Sequence, residues 1–233
     1  MAAEQPVKLI TIDGPSGAGK GTASRRIANK LGWQWLDSGA LYRLTAHAAL
    51  EKGVNIEDVP ALVNLASGLD VQFQMEAIQS EPDILLNGEV VTAYLRTEKC
   101  TSTASTISAY PAIRAALLQR QRDFLTDLGL VADGRDMGTV VFPQAPLKVY
   151  MTASPEVRAV RRHKQLLAQG IDVNMSHLLR EITVRDQRDT NRVAAPLRPA
   201  EDALILDTSD MTADDVAQWI YCKSVEIWAP DGV

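Results

Sequence analysis

Apolar, strand-like segments alternate with helical segments along most of the chain. Short runs rich in β-branched and other apolar residues, typical of strands buried on both faces, occur at 7–12, 33–36, 130–132, 147–151 and 204–206. Helical periodicity predicts helices at 20–31, 40–52, 56–67, 97–110, 111–128, 154–169, 174–190 and 212–228. This alternation favours an α/β fold with a doubly wound parallel sheet of five strands. In such a sheet, ligands bind at the carboxyl ends of the strands.

One stretch departs from the parallel pattern. Strand-like runs at 71–74 and 84–86 are followed by Asn87-Gly88, a hairpin turn signal, and by a returning run at 89–91. We therefore predict a small antiparallel insert spanning about 69–96.

Polar residues follow three of the predicted parallel strands. The pairs Asp13-Gly14 and Asp37-Ser38 end the first two, and Asp133-Gly134-Arg135-Asp136 ends the third. Because parallel strands end at one edge of a sheet, we expect these side chains to gather along that edge.

Length and charge narrow the classes of protein. The chain has 233 residues, of which 46% are hydrophobic, and this suits a single α/β domain covering 1–233. A net charge of −5 argues against binding to a nucleic acid polymer, which needs a broad basic face. Anionic small molecules would have to be met by local arginines.

The cysteines and the apolar runs indicate the cellular compartment in which we expect the protein. Cys100 and Cys222 lie far apart without metal-binding spacing, so we expect free thiols and a reducing cytoplasm. Residues 1–6 contain no long apolar stretch, and no run reaches the ~20 apolar residues of a membrane helix. We expect a cytoplasmic protein without a membrane partner, and a monomer, because nothing suggests an obligate partner.

A glycine-rich loop joins the first strand to the first helix. Strand, loop and helix N-terminus in this order form a phosphate cradle, with several backbone N–H groups aimed at one anion. Lys20 can reach terminal phosphates, and Thr22 can place a hydroxyl near Mg²⁺. The general pattern has Ser or Thr directly after the lysine, whereas Gly21 intervenes here. An ordinary tight turn is the alternative. The predicted ATP-binding residues of the loop are Gly14, Pro15, Ser16, Gly17, Ala18, Gly19, Lys20, Gly21 and Thr22.

Four motifs together carry a more specific resemblance. They read IDGPSGAGKGT at 12–22, LDSGALYR at 36–43, ADGRDMGTVVFP at 132–143, and RDQRDTNR at 185–192 with APL at 195–197. With these motifs in order over nearly its whole length, the chain resembles the bacterial cytidylate kinases, of the nucleoside monophosphate kinase family of P-loop proteins. The resemblance implies transfer of the γ-phosphate of ATP to CMP or dCMP, giving CDP or dCDP and ADP, with Mg²⁺ as cofactor. The alternatives are a kinase for UMP, AMP or a shikimate-like acceptor, and a non-catalytic nucleotide-binding module.

The resemblance also implies roles for the basic residues near the strand ends. The residues it marks as catalytic are Lys20, Arg135, Arg185 and Arg192, and those it marks as CMP-binding are Ser38, Arg43, Ser105, Arg114, Arg135, Asp136, Arg185, Asp189 and Arg192. Arg185 and Asp189 would contact the ribose, and Arg43, Arg135 and Arg192 the phosphates. The alternative for helix 174–190 is a solvated, salt-bridged face.

Base selection has a chemical rationale. Cytosine offers an amino donor at N4 and acceptors at N3 and O2, which suit a carboxylate and a guanidinium. By resemblance these are Asp136 and Arg114, with a hydroxyl contact from Ser105. The alternatives are a turn carboxylate bonding its own backbone and a surface arginine.

Three further assignments follow from the resemblance. The insert at about 69–96 would be part of the acceptor-binding arm. Thr22 and Asp133 would approach Mg²⁺, the aspartate directly or through water. A lid at about 158–172 would close over ATP with Arg158, Arg161 or Arg162 and exclude water. The alternative for this segment is a solvated helix face, and spacing does not decide which arginine acts.

Overall fold

A computed structural model of the chain describes residues 6–74, 83–168 and 170–228. These residues form two compact units. The first comprises residues up to Leu36 together with those from Phe124 onward, and the second is Asp37–Asp123. The predicted insert lies wholly inside the second unit, although residues 75–82 of it are outside the described residues.

The described elements follow the predicted alternation. The strands are β1 Leu9–Asp13, β2 Gln34–Asp37, β3 Val71–Gln74, β4 Asp83–Leu86, β5 Glu89–Val90, β6 Leu130–Gly134, β7 Leu147–Thr152 and β8 Leu204–Asp207. The α-helices are α1 Lys20–Leu31, α2 Ser38–Glu51, α3 Val59–Ser67, α4 Glu98–Ile107, α5 Pro111–Arg122, α6 Pro155–Ala168, α7 Met175–Asn191 and α8 Ala213–Trp228.

A five-stranded parallel sheet forms the core of the first unit, in the order β2-β6-β1-β7-β8. β1 and β6 are buried along their whole length, which is why their sequences are nearly continuous apolar runs. Their register pairs Ile10 with Val131 and, at the carboxyl end, Asp13 with Gly134. The polar residues that end β1 and β6 therefore lie side by side, as predicted.

The second unit combines helices with the antiparallel insert. Its sheet has the order β3-β4-β5. The predicted hairpin turn is present, with Asn87 at φ 51° and Gly88 at φ 83°, and it pairs Leu86 with Glu89. Helix α2 is buried along most of its length and packs against α3 and α4, so it forms the centre of this unit.

One predicted helix end was wrong. We predicted a helix from Pro111 to Leu128 with Gly129 as its stop, but α5 ends at Arg122. Acidic residues such as Asp123 oppose the negative end of a helix, and the Asp123 side chain accepts a hydrogen bond from Gln119 at 2.8 Å. Gly129 instead directly precedes β6. Its φ is 94°, and a Cβ there would lie 2.7 Å from the Trp33 ring.

Two short helices were not predicted. A 3₁₀-helix covers Tyr94–Arg96, and a π-helix covers Met137–Val141 directly after β6. In the π-helix, the N–H groups of Val141 and Phe142 donate to the carbonyls of Asp136 and Met137, five residues back.

The expectations for the cysteines and for membrane helices can be compared with the described residues. Cys100 is buried, Cys222 is exposed, and both are free thiols as predicted. Within 6–74, 83–168 and 170–228, no helix has the length and apolar character required to span a bilayer.

Candidate active site

The glycine-rich loop after β1 adopts a conformation that only glycine fits. Gly14, Gly17 and Gly19 have φ values of 145°, 80° and 95°. A Cβ on Gly14 would lie 2.0 Å from the carbonyl oxygen of Met151, and one on Gly17 would lie 3.1 Å from Cβ of Arg158. The loop is therefore fixed in shape by close packing against β7 and α6.

Carbonyl oxygens of this loop are held by neighbouring side chains. Lys20 Nζ donates to the Pro15 carbonyl at 2.7 Å, and Arg158 Nη1 donates to that of Ser16 at 3.1 Å. The Ala18 carbonyl accepts from Thr208 Oγ1 at 3.1 Å and from Arg161 Nη1 at 3.4 Å. Because its carbonyl oxygens are bonded to the surrounding protein, the loop can direct its N–H groups towards a bound anion.

Lys20 is buried in a mixed electrostatic environment. Only 6% of it is exposed. Burial lowers the pKa of its amine to about 7, Arg135 and Arg185 also lower it, and Asp133 and Asp13 act in the opposite direction. The amine therefore lies within electrostatic reach of two of the predicted arginines.

Arginines and one carboxylate form a cluster at the carboxyl end of β6 and the end of α7. Arg135 Nε donates to Asp189 Oδ2 at 2.8 Å. Burial raises the pKa of Asp189, but Arg135, Arg185 and Arg192 outweigh it and hold the pKa below its usual value. The pKa of Arg135 is raised: burial opposes its charge, and Asp189 more than offsets this. The structure thus brings together all four of these predicted residues.

Asp136 belongs to the same neighbourhood. It is buried, and Arg192 Nη2 lies 3.8 Å from its Oδ1. The backbone of Arg192 ends α7, and its Nε also donates to the carbonyl oxygen of Ala195. Residues from motifs separated by about fifty positions therefore meet at one edge of the sheet.

Asp133 accepts hydrogen bonds from helix α1 and from strand β2. Its Oδ2 accepts hydrogen bonds from Ser24 Oγ at 2.6 Å and from Trp35 Nε1 at 3.0 Å. Thr22 lies in the first turn of the same helix. The donor set offered here is oxygen only, which fits Mg²⁺ completed by substrate phosphates and water. Among the described residues, no group of three or more His, Cys, Asp and Glu could hold a metal by itself.

The predicted lid arginines differ in their contacts. Arg158 is 3% exposed and forms a bidentate ion pair with Asp186, at 3.1 and 2.6 Å. Arg161 donates to the hydroxyl and the carbonyl oxygen of Thr208 at 3.2 and 2.5 Å. Arg162 Nη1 contacts Gln165 Oε1, one turn along α6, at 3.0 Å. Arg158 and Arg161 therefore contact the loop, and Arg162 contacts its own helix.

The remaining predicted acceptor residues lie in the second unit. Ser38 donates to Gln121 Oε1 at 2.6 Å. Arg43 pairs with Asp37 at 2.6 Å, and Asp37 also caps α2.

Arg114 and Ser105 are linked within that unit. Arg114 donates to the carbonyl oxygen of Ser108 at 3.1 Å, and the Ser108 hydroxyl donates to the backbone carbonyl oxygen of Ser105 at 2.9 Å. The guanidinium of Arg114 also lies 5.4 Å from the centre of the Tyr42 ring. The predicted residues of α2, α4 and α5 therefore make hydrogen bonds or ring contacts within the second unit.

The family model described as cytidylate kinase matches residues 10–225. The chain belongs to the cytidylate kinase family. Cytidylate kinase of Pseudomonas aeruginosa (strain LESB58) is 55% identical over 219 residues, which cover 93% of this chain and 96% of that one. Cytidylate kinase of Shewanella baltica (strain OS155) is 54% identical over 216 residues, 93% of either chain. Among solved structures, a gluconokinase from Sinorhizobium meliloti 1021 covers 96% of this chain and 94% of its own, with 14% identity and a TM-score of 0.49.

Three residues that contact predicted site residues or the turn after β6 were not among those predicted as functional. Asp13 binds the backbone after β6, Asp186 holds Arg158, and Tyr42 lies beside Arg114. Each falls inside one of the four motifs, but no local pattern points to its partner. The partners are 124, 28 and 72 positions away along the sequence, and local patterns do not reveal such contacts.

Proposed function

We propose that this chain transfers the γ-phosphate of ATP to CMP or dCMP, giving ADP and CDP or dCDP. The observation that carries this is the guanidinium cluster of Arg135, Arg185 and Arg192 around Asp189, of which Arg135 and Arg185 lie within electrostatic reach of Lys20, in a member of the cytidylate kinase family. A phosphate loop and a separate arginine cluster match a reaction in which two phosphorylated substrates meet.

The donor is ATP on the glycine-rich loop. Loop N–H groups and Lys20 bind its phosphates, and Arg158, Arg161 or Arg162 of the lid adds positive charge. Mg²⁺, held with help from Thr22 and Asp133, would neutralise charge on the phosphates when bound. Closure of the lid would exclude water, which otherwise competes as the acceptor.

The acceptor is bound by its phosphate, sugar and base. Arg43, Arg135 and Arg192 hold the phosphate, and Arg185 and Asp189 hold the ribose. Ser38 adds a polar contact. Asp136 accepts from the N4 amino group of cytosine, whereas Arg114 and Ser105 donate to its acceptors. Uracil carries an oxygen at position 4, which would face the Asp136 carboxylate unfavourably.

Catalysis rests on positioning and charge neutralisation. A phosphate oxygen of CMP forms a bond to the γ-phosphorus while the bond to the bridging β–γ oxygen breaks, and ADP leaves with that oxygen. The nucleophile is already anionic, so no protein base is needed. Lys20, Arg135, Arg185 and Arg192 stabilise the charge on the transferred group. We place the reaction in the cytoplasm and assign it to a monomer.

A panel of nucleoside monophosphates tests the proposal. ADP release, coupled to NADH oxidation, is measured with ATP and Mg²⁺ and with CMP, dCMP, UMP, AMP or shikimate as acceptor. We expect turnover with CMP and dCMP well above that with the others. Preference for another acceptor would replace the proposed substrate, and an absence of acceptor-dependent ADP with every compound would favour a binding module.

A further inference from the structure

Asp13 is a buried carboxylate to which the proposed reaction gives no task. It is the last residue of β1, directly before Gly14 of the phosphate loop, and it is 5% exposed. Its Oδ1 accepts the N–H of Met137 at 2.8 Å, and its Oδ2 accepts the N–H of Gly138 at 2.7 Å. Because both oxygens face backbone amides, the carboxylate is placed as a structural acceptor rather than as a base.

These amides begin the π-helix after β6. The first N–H groups of any helix lack partners within it and must be satisfied from elsewhere. Asp136 occupies the capping position, but its side chain makes no capping hydrogen bond. Asp13 supplies the missing cap from a neighbouring strand, so the direction of this turn depends on a residue far away in sequence.

The capped turn contains two proposed acceptor residues. Arg135 and Asp136 lie between the end of β6 and the first capped amide, Met137. At one end, Gly134 is paired in register with Asp13 itself. At the other end, the Asp13 carboxylate holds Met137 and Gly138. A single residue therefore fixes both ends of the turn that carries these side chains.

Close packing makes the arrangement specific. A Cβ on Gly138 would lie 3.0 Å from Thr11 Oγ1 and 3.2 Å from Cδ of Lys148. Only a residue without a side chain therefore brings its N–H this close to β1 without displacing a neighbour. Gly134 is also tight, since its Cβ would lie 3.0 Å from Cε of Met137.

The electrostatics agree with this geometry. Burial raises the pKa of Asp13 to about 6, and the nearby Asp136 also raises it, whereas the two amides and Lys20 lower it. The carboxylate is thus mostly ionised at neutral pH, and an ionised acceptor forms stronger hydrogen bonds to N–H groups.

We propose that Asp13 is a positioning residue for the acceptor nucleotide, acting through the turn that presents Arg135 and Asp136. The proposal rests on the proposed function, because it takes CMP as the acceptor. It assigns Asp13 an effect on CMP that is distinct from any effect on ATP, even though Asp13 adjoins the ATP-binding loop.

The main test is Asp13→Asn, which keeps the shape but turns an NH₂ group towards one of the two amides. We expect the KM for CMP to rise at least tenfold and the CMP:UMP selectivity to fall severalfold, with the KM for ATP within about twofold. The control is Asp58→Asn, which alters an exposed carboxylate that caps α3 and should leave both KM values unchanged. An unchanged KM for CMP, or equal increases for CMP and ATP, would overturn the proposal.

Two further measurements keep the test informative if Asp13→Asn folds poorly. Gly138→Ala keeps Asp13 but pushes the amide away, so it should raise the KM for CMP with little change for ATP. In the wild-type protein, hydrogen exchange at the Met137 and Gly138 amides should be strongly retarded. Fast exchange there would refute the hydrogen bonds. If the wild-type protein shows no CMP-dependent ADP release, the proposed function fails, a result distinct from an Asp13 effect that is absent in an active enzyme.

Discussion

Both oxygens of the Asp186 carboxylate accept hydrogen bonds from the guanidinium of Arg158, at 3.1 and 2.6 Å. The same guanidinium donates to the carbonyl oxygens of Ser16 and Ala153, at 3.1 and 2.9 Å. It therefore joins α7, the phosphate loop and the end of β7. The sequence-based interpretation placed Arg158 in a lid that closes over ATP, and these contacts also make it a brace for the phosphate loop. Its predicted contact with ATP stays a prediction.

Arg158→Lys should weaken ATP binding and stability together. A lysine cannot reproduce the fork of hydrogen bonds to Asp186 and the Ser16 carbonyl. Disrupting a pair buried on the arginine side should cost about 3 kcal/mol, which corresponds to a fall in Tm of about 6–12 °C for a chain of this size. We also expect the KM for ATP to rise about tenfold. Steady-state kinetics and calorimetry measure both effects.

A surface ion pair gives the matched control for that substitution. Lys223 and Glu226 pair at 2.7 Å on the surface of α8, with side chains that are 34% and 61% exposed. Lys223→Ala should change Tm by less than about 1 °C, because exposed pairs contribute little. If Arg158→Lys changes Tm and the KM for ATP no more than Lys223→Ala does, then Arg158 does not hold the phosphate loop in place.

ATP binding should take up a proton through Lys20. With a pKa of about 7, most of the Lys20 amine is neutral at pH 8, and adjacent phosphates would favour its charged form. Titration calorimetry at pH 8 in buffers of different ionisation enthalpy should therefore report net proton uptake on ATP binding. Lys20→Met should abolish this uptake and turnover while CMP affinity is retained.

A lysine of α8 provides the control for the Lys20→Met experiment. Lys223→Met should leave the proton uptake and turnover at their wild-type values. Equal proton uptake in wild type and Lys20→Met would contradict the assignment, and so would retained turnover in Lys20→Met.

Asp136→Asn should weaken the preference for CMP over UMP. An asparagine presents a donor that uracil O4 accepts and cytosine N4 does not, so the preference should fall by about 1–3 kcal/mol, or roughly fivefold to 150-fold. The ratio of kcat/KM values for the two nucleotides measures this. Unchanged selectivity would remove Asp136 from base recognition. Because Asp136 lies 3.8 Å from Arg192, CMP affinity itself should also decrease.

Local sequence patterns predicted the architecture because the relevant forces act locally or repeat regularly. Continuous apolar runs such as 130–132 mark buried parallel strands, and the glycines at 14–19 mark a loop that a Cβ would obstruct. The Asn87-Gly88 turn was predictable for the same reason, since few residues adopt the required positive φ. These features depend on neighbours within a few positions.

The features that were missed depend on distant partners. The early end of α5 and the π-helix at Met137–Val141 have no periodic signal. Asp13 caps that helix from 124 positions away, and Asp186 binds Arg158 across 28. Each of these residues stood in a recognised motif, but only the folded chain shows which atoms it contacts.

Burial of Asp13 gives stability a particular pH dependence. The pKa of the Asp13 carboxyl rises from 3.8 to about 6 on folding, so the folded chain binds the proton more tightly than the unfolded chain. This contribution to stability is present below about pH 4 and is lost as pH rises through about 6. Asp136 increases this effect, while the Met137 and Gly138 amides and Lys20 reduce it.

Between pH 4 and 6.5, the free energy of unfolding of the wild type should therefore fall relative to that of Asp13→Asn, by about 3 kcal/mol at most. Urea unfolding of both proteins across this range measures the difference. Asp215 provides a control of opposite sign, because hydrogen bonds from Thr212 lower the pKa of its carboxyl. Relative to Asp215→Asn, the wild type should gain stability as pH rises from acid. If the stability difference between the wild type and Asp13→Asn does not change with pH, or changes with the sign expected for Asp215, then burial does not raise the pKa of the Asp13 carboxyl.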